Sequence, residues 1–170
     1  MRLPPDHALQ QTRPSLHGCN RSVPWAGSLS LGREAGSNRQ TMFPFGHVDL
    51  RVRSAKDVYP FYSAVLPALG FHREWRDGEK LEAFSFQTDG ELPKASWFGV
   101  IQDPDHVPNS TRLAFAVQDR NEVDRMAEIV RSAGGLRIEG PEDMPYTRVY
   151  YAVYFEDPSG NRLEIYYRQE

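Results

Sequence analysis

Hydrophobic and polar residues alternate along residues 47–52, and alternation with a period of two predicts a β-strand with two unlike faces. The apolar face carries Val48, Leu50 and Val52, and the polar face carries His47, Asp49 and Arg51. The spacing then changes, because apolar residues recur every three or four positions, which predicts a helix with one core-facing stripe. That stripe consists of Val58, Phe61, Tyr62, Val65, Leu66 and Leu69.

Capping and turn-forming residues predict where this helix begins and ends. Ser54 or Asp57 can cap its N-terminus, and Pro60 then falls in or near the first turn, where a missing N–H group is tolerated. Pro67 is expected to loosen the last turn, and Gly70 ends the helix. Three strands are predicted to follow, over residues 71–76, 81–88 and 96–102, with Asp-Gly turns between them.

The same order of elements recurs in the second half of the chain. Residues 111–117 predict a strand, and Asp119 with Glu122 forms a capping box for a second helix. Its apolar stripe consists of Val123, Met126, Ala127 and Val130. After Gly134-Gly135 we expect a short strand near residues 136–138, then strands over 148–155 and 161–168. Six positions match in character at one offset of 65 residues, which predicts two copies of one βαβββ unit.

The predicted fold is therefore α+β, with two βαβββ modules at about residues 44–104 and 109–168 of a domain over residues 43–170. Residues 1–42 differ, since they contain 13 Pro, Gly or Ser residues and one aromatic residue, without apolar periodicity. Such a segment cannot bury enough apolar surface to offset its ordering entropy, so we expect a disordered extension. We expect a cytoplasmic protein, with organellar targeting by residues 1–42 as the alternative.

The composition argues against several classes of function. The net charge of −3 combines +3 in residues 1–42 with −6 in the remainder, and an acidic domain lacks the basic face of a general nucleic-acid binder. Cys19 is the single cysteine, so no intrachain disulfide and no zinc site built on paired thiolates can form. No apolar run approaches the ~18 residues of a membrane-spanning helix. We therefore expect neither nucleic acid nor membrane as a partner.

Four stretches of the sequence resemble the vicinal oxygen chelate superfamily, the group of glyoxalases, bleomycin-resistance proteins and extradiol dioxygenases. They are residues 46–52 (GHVDLRV), 61–71 (FYSAVLPALGF), 113–117 (LAFAV) and 155–165 (FEDPSGNRLEI). The resemblance extends from about residue 44 to 168 and leaves the N-terminal segment unexplained. It implies paired βαβββ modules whose curved mixed sheet surrounds a cavity, with a divalent cation there in the metal-dependent members.

The resemblance also implies four metal-ligand positions, of which this sequence retains two. His47 matches the first and Glu164 the last, whereas Arg112 stands where a histidine is usual. The remaining position falls among residues 97–99, Trp-Phe-Gly, none of which can ligate a metal. Two protein donors hold zinc, nickel, manganese or iron weakly, and a nearby guanidinium repels a divalent cation. We therefore expect no cofactor, with a weakly bound divalent metal as the alternative.

A pocket organised by an ion pair is the physically better arrangement for these residues. Alternation places Arg112 on one face of its strand and Glu164 with Tyr166 on one face of another, so Arg112 can pair with Glu164 where a metal would stand. Trp97, Tyr151 and Tyr166 are the candidate ligand contacts beside Arg112. Each residue also has a purely structural interpretation: Glu164 in a salt bridge, His47 bonded to backbone, and the tyrosines as strand formers.

Two classes of function remain open at this point. The first is a protein that binds a small organic molecule in the cavity beside an incomplete metal site. The second is a metal-dependent lyase, isomerase or dioxygenase, in which Glu164 or His47 acts as the base and Arg112 stabilises an oxyanion. The sequence also leaves open whether the modules pair within one chain or exchange between two chains of a homodimer.

Overall fold

Two successive βαβββ units make up the computed structural model, which describes residues 45–90 and 95–169. The first unit consists of β1 (His47–Val52), α1 (Ala55–Ala68), β2 (Phe71–Arg76), β3 (Ala83–Thr88) and β4 (Trp97–Gln102). The second consists of β5 (Arg112–Ala116), α2 (Arg120–Ser132), β6 (Leu136–Asp143), β7 (Val149–Glu156) and β8 (Arg162–Gln169). The predicted α+β fold with two βαβββ modules is confirmed. The expected disorder of residues 1–42 lies outside the described residues.

Each unit forms its own four-stranded mixed sheet, and the two sheets have the same topology. The strand orders are β1-β4-β3-β2 and β5-β8-β7-β6. In each sheet the first strand pairs in parallel with the last, and the other neighbours are antiparallel. This equivalence bears out the repeat inferred at the 65-residue offset. It also makes β1 and β5 edge strands within their own sheets.

The helix ends are set by side chains that satisfy free backbone groups. Ser54 is the N-cap of α1, because its Oγ accepts a hydrogen bond from the Asp57 N–H at 3.2 Å. With Ser54 rather than Asp57 as the cap, α1 begins at Ala55, and Pro60 lies inside the helix beyond its first turn. Gly70 follows the helix with φ of +94°, a left-handed conformation that glycine adopts without strain.

Strand β6 is longer than the sequence pattern predicts. Alternation near residues 136–138 indicated a short strand, whereas β6 runs from Leu136 to Asp143. Its pairing with β7 shifts register twice, once between Leu136 and Glu139 and once between Glu139 and Glu142. Gly140 and Pro141 lie within the second of these irregular stretches. The irregular register explains why a period of two does not reveal this strand.

The two modules share one hydrophobic core. Helix α1 packs on the first sheet, α2 packs on the second, and the helices also contact each other. Aromatic rings join the modules: the centroids of Phe98 and Phe115 are 5.6 Å apart, and those of Phe71 and Phe115 are 6.3 Å apart. His47 in β1 and Glu164 in β8 lie on the strand faces that point away from the helices. Within the described residues, no helix is long and apolar enough to cross a membrane.

The turn between β7 and β8 ties the second module to the first. The fully buried carboxylate of Asp157 accepts hydrogen bonds from the Ser159 and Asn161 N–H groups, both at 2.8 Å, and from the Tyr62 hydroxyl at 2.6 Å. The Asn161 side-chain amide donates to the Arg51 carbonyl at 2.9 Å. Since Tyr62 lies in α1 and Arg51 in β1, this turn fixes β8 relative to β1.

Candidate functional site

A cavity of about 400 Å³ lies between the edge strands β1 and β5. Its walls are mainly aromatic and aliphatic and come from both modules, and they include Phe71, Trp97, Phe98, Leu113 and Phe115. Among the described strands none hydrogen-bonds to the outer edge of β1, and both faces of β1 border the cavity there, through His47 and Val48. The cavity is therefore an apolar space with few polar groups, a composition common in sites for small molecules.

Arg112 is the charged residue on the cavity wall, and it extends from β5 towards Glu164 of β8. The parallel register places Ala114 opposite Glu164, and Arg112 one repeat earlier on the same face. Arg112 Nη1 lies 3.9 Å from Glu164 Oε2, and the guanidinium carbon lies 4.5 Å from the centroid of the Tyr154 ring. The predicted pairing is present, but at 3.9 Å it is an ionic contact without a hydrogen bond.

Glu164 is almost buried, with 8% of its side chain exposed, and Tyr150 supplies its hydrogen bond. The Tyr150 hydroxyl donates to Oε1 at 2.5 Å. A buried carboxylate needs such a donor because leaving it unpaired is costly. Burial, followed by this hydrogen bond to a carboxylate, raises the pKa of Tyr150 above its usual value, so the phenol stays protonated.

Tyr154 lies directly opposite Glu164 in the β7–β8 pair and carries a buried hydroxyl. Among the described residues this hydroxyl has no partner with hydrogen-bond geometry, although Tyr146 approaches it. Burial, and then the charge of Glu164, raise the pKa of Tyr154. The ring therefore stays neutral beneath the Arg112 guanidinium, which suits a cation–π contact.

The candidate residue Tyr166 joins this cluster, and Tyr151 does not. The rings of Tyr166 and Tyr150 stack at 5.1 Å with an angle of 3° between their planes. The Tyr151 hydroxyl instead donates to Asp124 Oδ1 of α2 at 2.8 Å, on the helix side of the sheet. Tyr150 and Tyr151 therefore lie on opposite faces, as neighbours along a strand do, and a ligand contact of Tyr151 stays a prediction.

His47 borders the cavity on the side of β1, beside Trp97 of β4. The register pairs these two residues directly, and both side chains line the cavity. His47 Nε2 lies 3.9 Å from Asp49 Oδ2, and both side chains are well exposed. A Cβ atom at position 99 would overlap the Asp49 carboxylate, so Gly99 leaves the space that this carboxylate occupies.

A family model matches the sequence, and solved structures match the fold. The family model of the Glyoxalase/Bleomycin resistance protein/Dioxygenase superfamily matches residues 45–165. This chain belongs to that superfamily. The comparison with curated proteins found no significant match to this chain.

Solved structures show the same fold at low sequence identity. A glyoxalase/bleomycin resistance protein from Albidiferax ferrireducens is 24% identical, covers 74% of this chain and 98% of its own, and has a TM-score of 0.58. A glyoxalase/bleomycin resistance protein/dioxygenase family enzyme from Burkholderia phytofirmans is 18% identical, over 72% and 96%, with a TM-score of 0.56. A glyoxalase/dioxygenase from Nostoc punctiforme is 24% identical, over 84% and 100%, with a TM-score of 0.53.

The donor set of this superfamily member does not fit the divalent cation of the metal-dependent members. Across residues 45–90 and 95–169, no three His, Cys, Asp or Glu side chains come close enough to hold a metal ion together. His47 has Asp49 as its acidic neighbour, whereas Glu164 has Arg112 and Tyr150. A guanidinium has no lone pair to donate, and its charge opposes a cation beside it.

Reasoning from the sequence missed Tyr150 and Tyr154, the two residues that surround Glu164. Alternation along β7 places both on one face, together with Ala152 and Glu156. Their contacts with Glu164 depend on the antiparallel register of β7 and β8, which sets Tyr154 opposite Glu164. The sequence of either strand alone does not contain this register. Leu113 and Phe115 were likewise missed, because they reach the cavity at the open edge of β5.

Proposed function

We propose that this glyoxalase-superfamily chain binds a small organic molecule in the cavity between β1 and β5, without a metal ion. The observation that carries this proposal is the cavity itself, which is lined mainly by aromatic and aliphatic side chains with Arg112 at its wall. Its volume of about 400 Å³ falls within the range of about 300–1,000 Å³ typical of ligand pockets. Burial of apolar ligand surface against these walls would drive binding.

The chemistry around Glu164 supports binding rather than metal-dependent catalysis. The Glu164 carboxylate accepts a short hydrogen bond from Tyr150 through Oε1, and its Oε2 lies 3.9 Å from the Arg112 guanidinium, whose charge opposes a cation there. Glu164 is also not among the described residues that line the cavity, whereas a general base must reach the proton that it removes. We also propose a cytoplasmic location and a homodimer.

Fluorescence titration with N-phenyl-1-naphthylamine, a neutral apolar probe that brightens in apolar surroundings, tests the proposed function. We expect saturable binding at one site per chain. Replacement of Ala114 by Trp fills the cavity and is expected to abolish this binding, because Ala114 lies on its wall. Ala116→Trp is the matched control, since Ala116 is the next residue on the same face of β5 and lies outside the described cavity lining.

Thermal unfolding of both variants checks that they remain folded. Binding that survives in folded Ala114→Trp as in the wild-type protein would contradict the assignment of the cavity. Near-stoichiometric zinc, nickel, manganese or iron in the purified protein, with probe binding that depends on it, would contradict the metal-free proposal.

A further inference from the structure

We propose that the cavity selects an aromatic carboxylic acid, with its ring between the apolar walls and its carboxylate on Arg112. This inference rests on the proposed binding function and names the class of ligand for the same site. Two features of the lining support this choice of ligand, namely its charge and its aromatic side chains. Two features of the Arg112 guanidinium also support it, namely its N–H donors and its contacts with Tyr154 and Glu164.

The charge of the cavity lining favours an anion. Among the described residues that line the cavity, Arg112 carries the one permanent charge, and none has a carboxylate. The other polar side chains at the wall are those of His47, Ser96 and Trp97. An ammonium group buried in this space would have no counter-charge, whereas a carboxylate would have the guanidinium.

The Arg112 guanidinium retains donors for a ligand. A guanidinium has five N–H donors, and within the described residues the nearest carboxylate oxygen to Arg112 is 3.9 Å away, beyond hydrogen-bond length. Arg137 of the same sheet differs, because its Nη1 donates to both oxygens of Glu156 at 3.0 and 3.1 Å. Within the part of the chain that the structure describes, Arg112 is therefore a cation at a cavity wall whose N–H donors make no hydrogen bond to a carboxylate.

Two neighbours contact Arg112 without using these donors. The guanidinium carbon lies 4.5 Å from the centroid of the Tyr154 ring, a cation–π contact that uses none of the N–H donors. Tyr150 donates to Glu164 Oε1, and Glu164 Oε2 lies 3.9 Å from Arg112 Nη1, too far to accept a hydrogen bond from it. A guanidinium in this position can donate the two parallel hydrogen bonds that a planar carboxylate accepts.

The walls favour an aromatic body for the ligand. Phe71, Phe98 and Phe115 form a cluster with ring centroids 5.6 to 6.4 Å apart, in tilted and edge-on arrangements. Trp97 adds a fourth aromatic side chain to the lining. Rings at such distances gain energy beyond their buried area when a further ring packs against them.

Competition against N-phenyl-1-naphthylamine tests the inference with three ligands of matched shape: 2-naphthoate, 2-naphthamide and 2-naphthylmethylamine. We expect the acid to bind about tenfold or more tightly than the amide, because hydrogen bonds to charged groups are worth about 1.5–3 kcal/mol. The ammonium ligand is expected to bind most weakly. In Arg112→Gln the preference for the acid should disappear, while the affinity for the amide changes by about twofold or less.

Arg162→Gln is the matched control, because Arg162 lies opposite Arg112 in the β5–β8 register but outside the described cavity lining. It should retain the preference for the acid, and Arg112→Lys should retain part of it through the charge alone. Equal affinity for acid and amide in the wild-type protein, or a preference that survives in Arg112→Gln, would overturn the choice of ligand class. Failure of the neutral probe and of all three ligands to bind would overturn the proposed binding function itself.

Discussion

Tyr150 of β7 and Glu164 of β8 are not register partners, yet the Tyr150 hydroxyl reaches across and donates to Glu164 Oε1 at 2.5 Å. This contact accounts for a carboxylate that is almost buried and is not hydrogen-bonded by the nearby guanidinium. Replacement of Tyr150 by Phe leaves that carboxylate without its donor. We expect the free energy of unfolding to fall by about 1.5–3 kcal/mol, measured by urea denaturation. Tyr59→Phe, which removes a hydroxyl that donates to the exposed Glu74, should cost about 1 kcal/mol or less, and equal losses would contradict this role of Tyr150.

Glu164→Gln tests the electrostatic role of the carboxylate. The negative charge of Glu164 partly offsets the positive charge of Arg112. If Glu164 does not contact the ligand, Glu164→Gln removes this offset, and a ligand carboxylate should bind Arg112 about 3- to 10-fold more tightly. Titration with 2-naphthoate measures this change, and 2-naphthamide is the uncharged control. A loss of acid binding in a folded Glu164→Gln protein would show that Glu164 itself contacts the ligand or an essential cation.

Tyr62→Phe tests the connection between the two modules. The Tyr62 hydroxyl donates to the buried Asp157 carboxylate at 2.6 Å, and its removal should cost about 1.5–3 kcal/mol of stability. Tyr59 in the same helix donates to the exposed Glu74 at 2.7 Å, so Tyr59→Phe should cost about 1 kcal/mol or less. Urea denaturation of the two variants compares a buried hydroxyl with an exposed one, and a larger loss for Tyr59→Phe would refute this account.

Stability at alkaline pH should decline because of the buried tyrosines. Burial raises the pKa of Tyr62, Tyr150 and Tyr154 in the folded protein, whereas an unfolded tyrosine ionises near pH 10. The folded state therefore keeps protons that the unfolded state loses, and stability falls as the pH rises above about 10. Below about pH 9 these groups are protonated in both states and add no slope.

Absorbance of tyrosinate at alkaline pH, combined with urea denaturation, measures this behaviour. Part of the absorbance change expected for eight tyrosines should be delayed until the protein unfolds. Tyr150→Phe should reduce the loss of stability above about pH 10. Ionisation of all eight tyrosines in one step near pH 10 in the folded protein would contradict the raised pKa values.

Local patterns predict most of the fold, because side-chain periodicity directly reports a buried face. Strand β1 was predicted with its observed ends, and its alternation also places His47 on the face opposite Val48. The prediction failed for β6, where Gly140-Pro141 and two register shifts remove the period of two. The choice between Ser54 and Asp57 as the cap of α1 depended on geometry that periodicity does not contain.

The sequence predicted only those features of the candidate site that depend on the position of a residue within its own strand. Positions matched through the family resemblance, together with alternation, indicated that Arg112 and Glu164 would meet, and they do. The hydrogen bond from Tyr150 and the ring of Tyr154 depend on the register between two strands, which is a long-range property. Tyr151 shows the same limit, since tyrosines that are adjacent in sequence serve opposite faces of the sheet.

Calorimetric titration of 2-naphthoate into protein treated with a metal chelator tests the central claim most directly. The account predicts heat that saturates at one ligand per chain in the metal-free protein, and the loss of most of this heat in Arg112→Gln. Binding that appears only after zinc, nickel, manganese or iron is restored, and that is unaffected by Arg112→Gln, would contradict it.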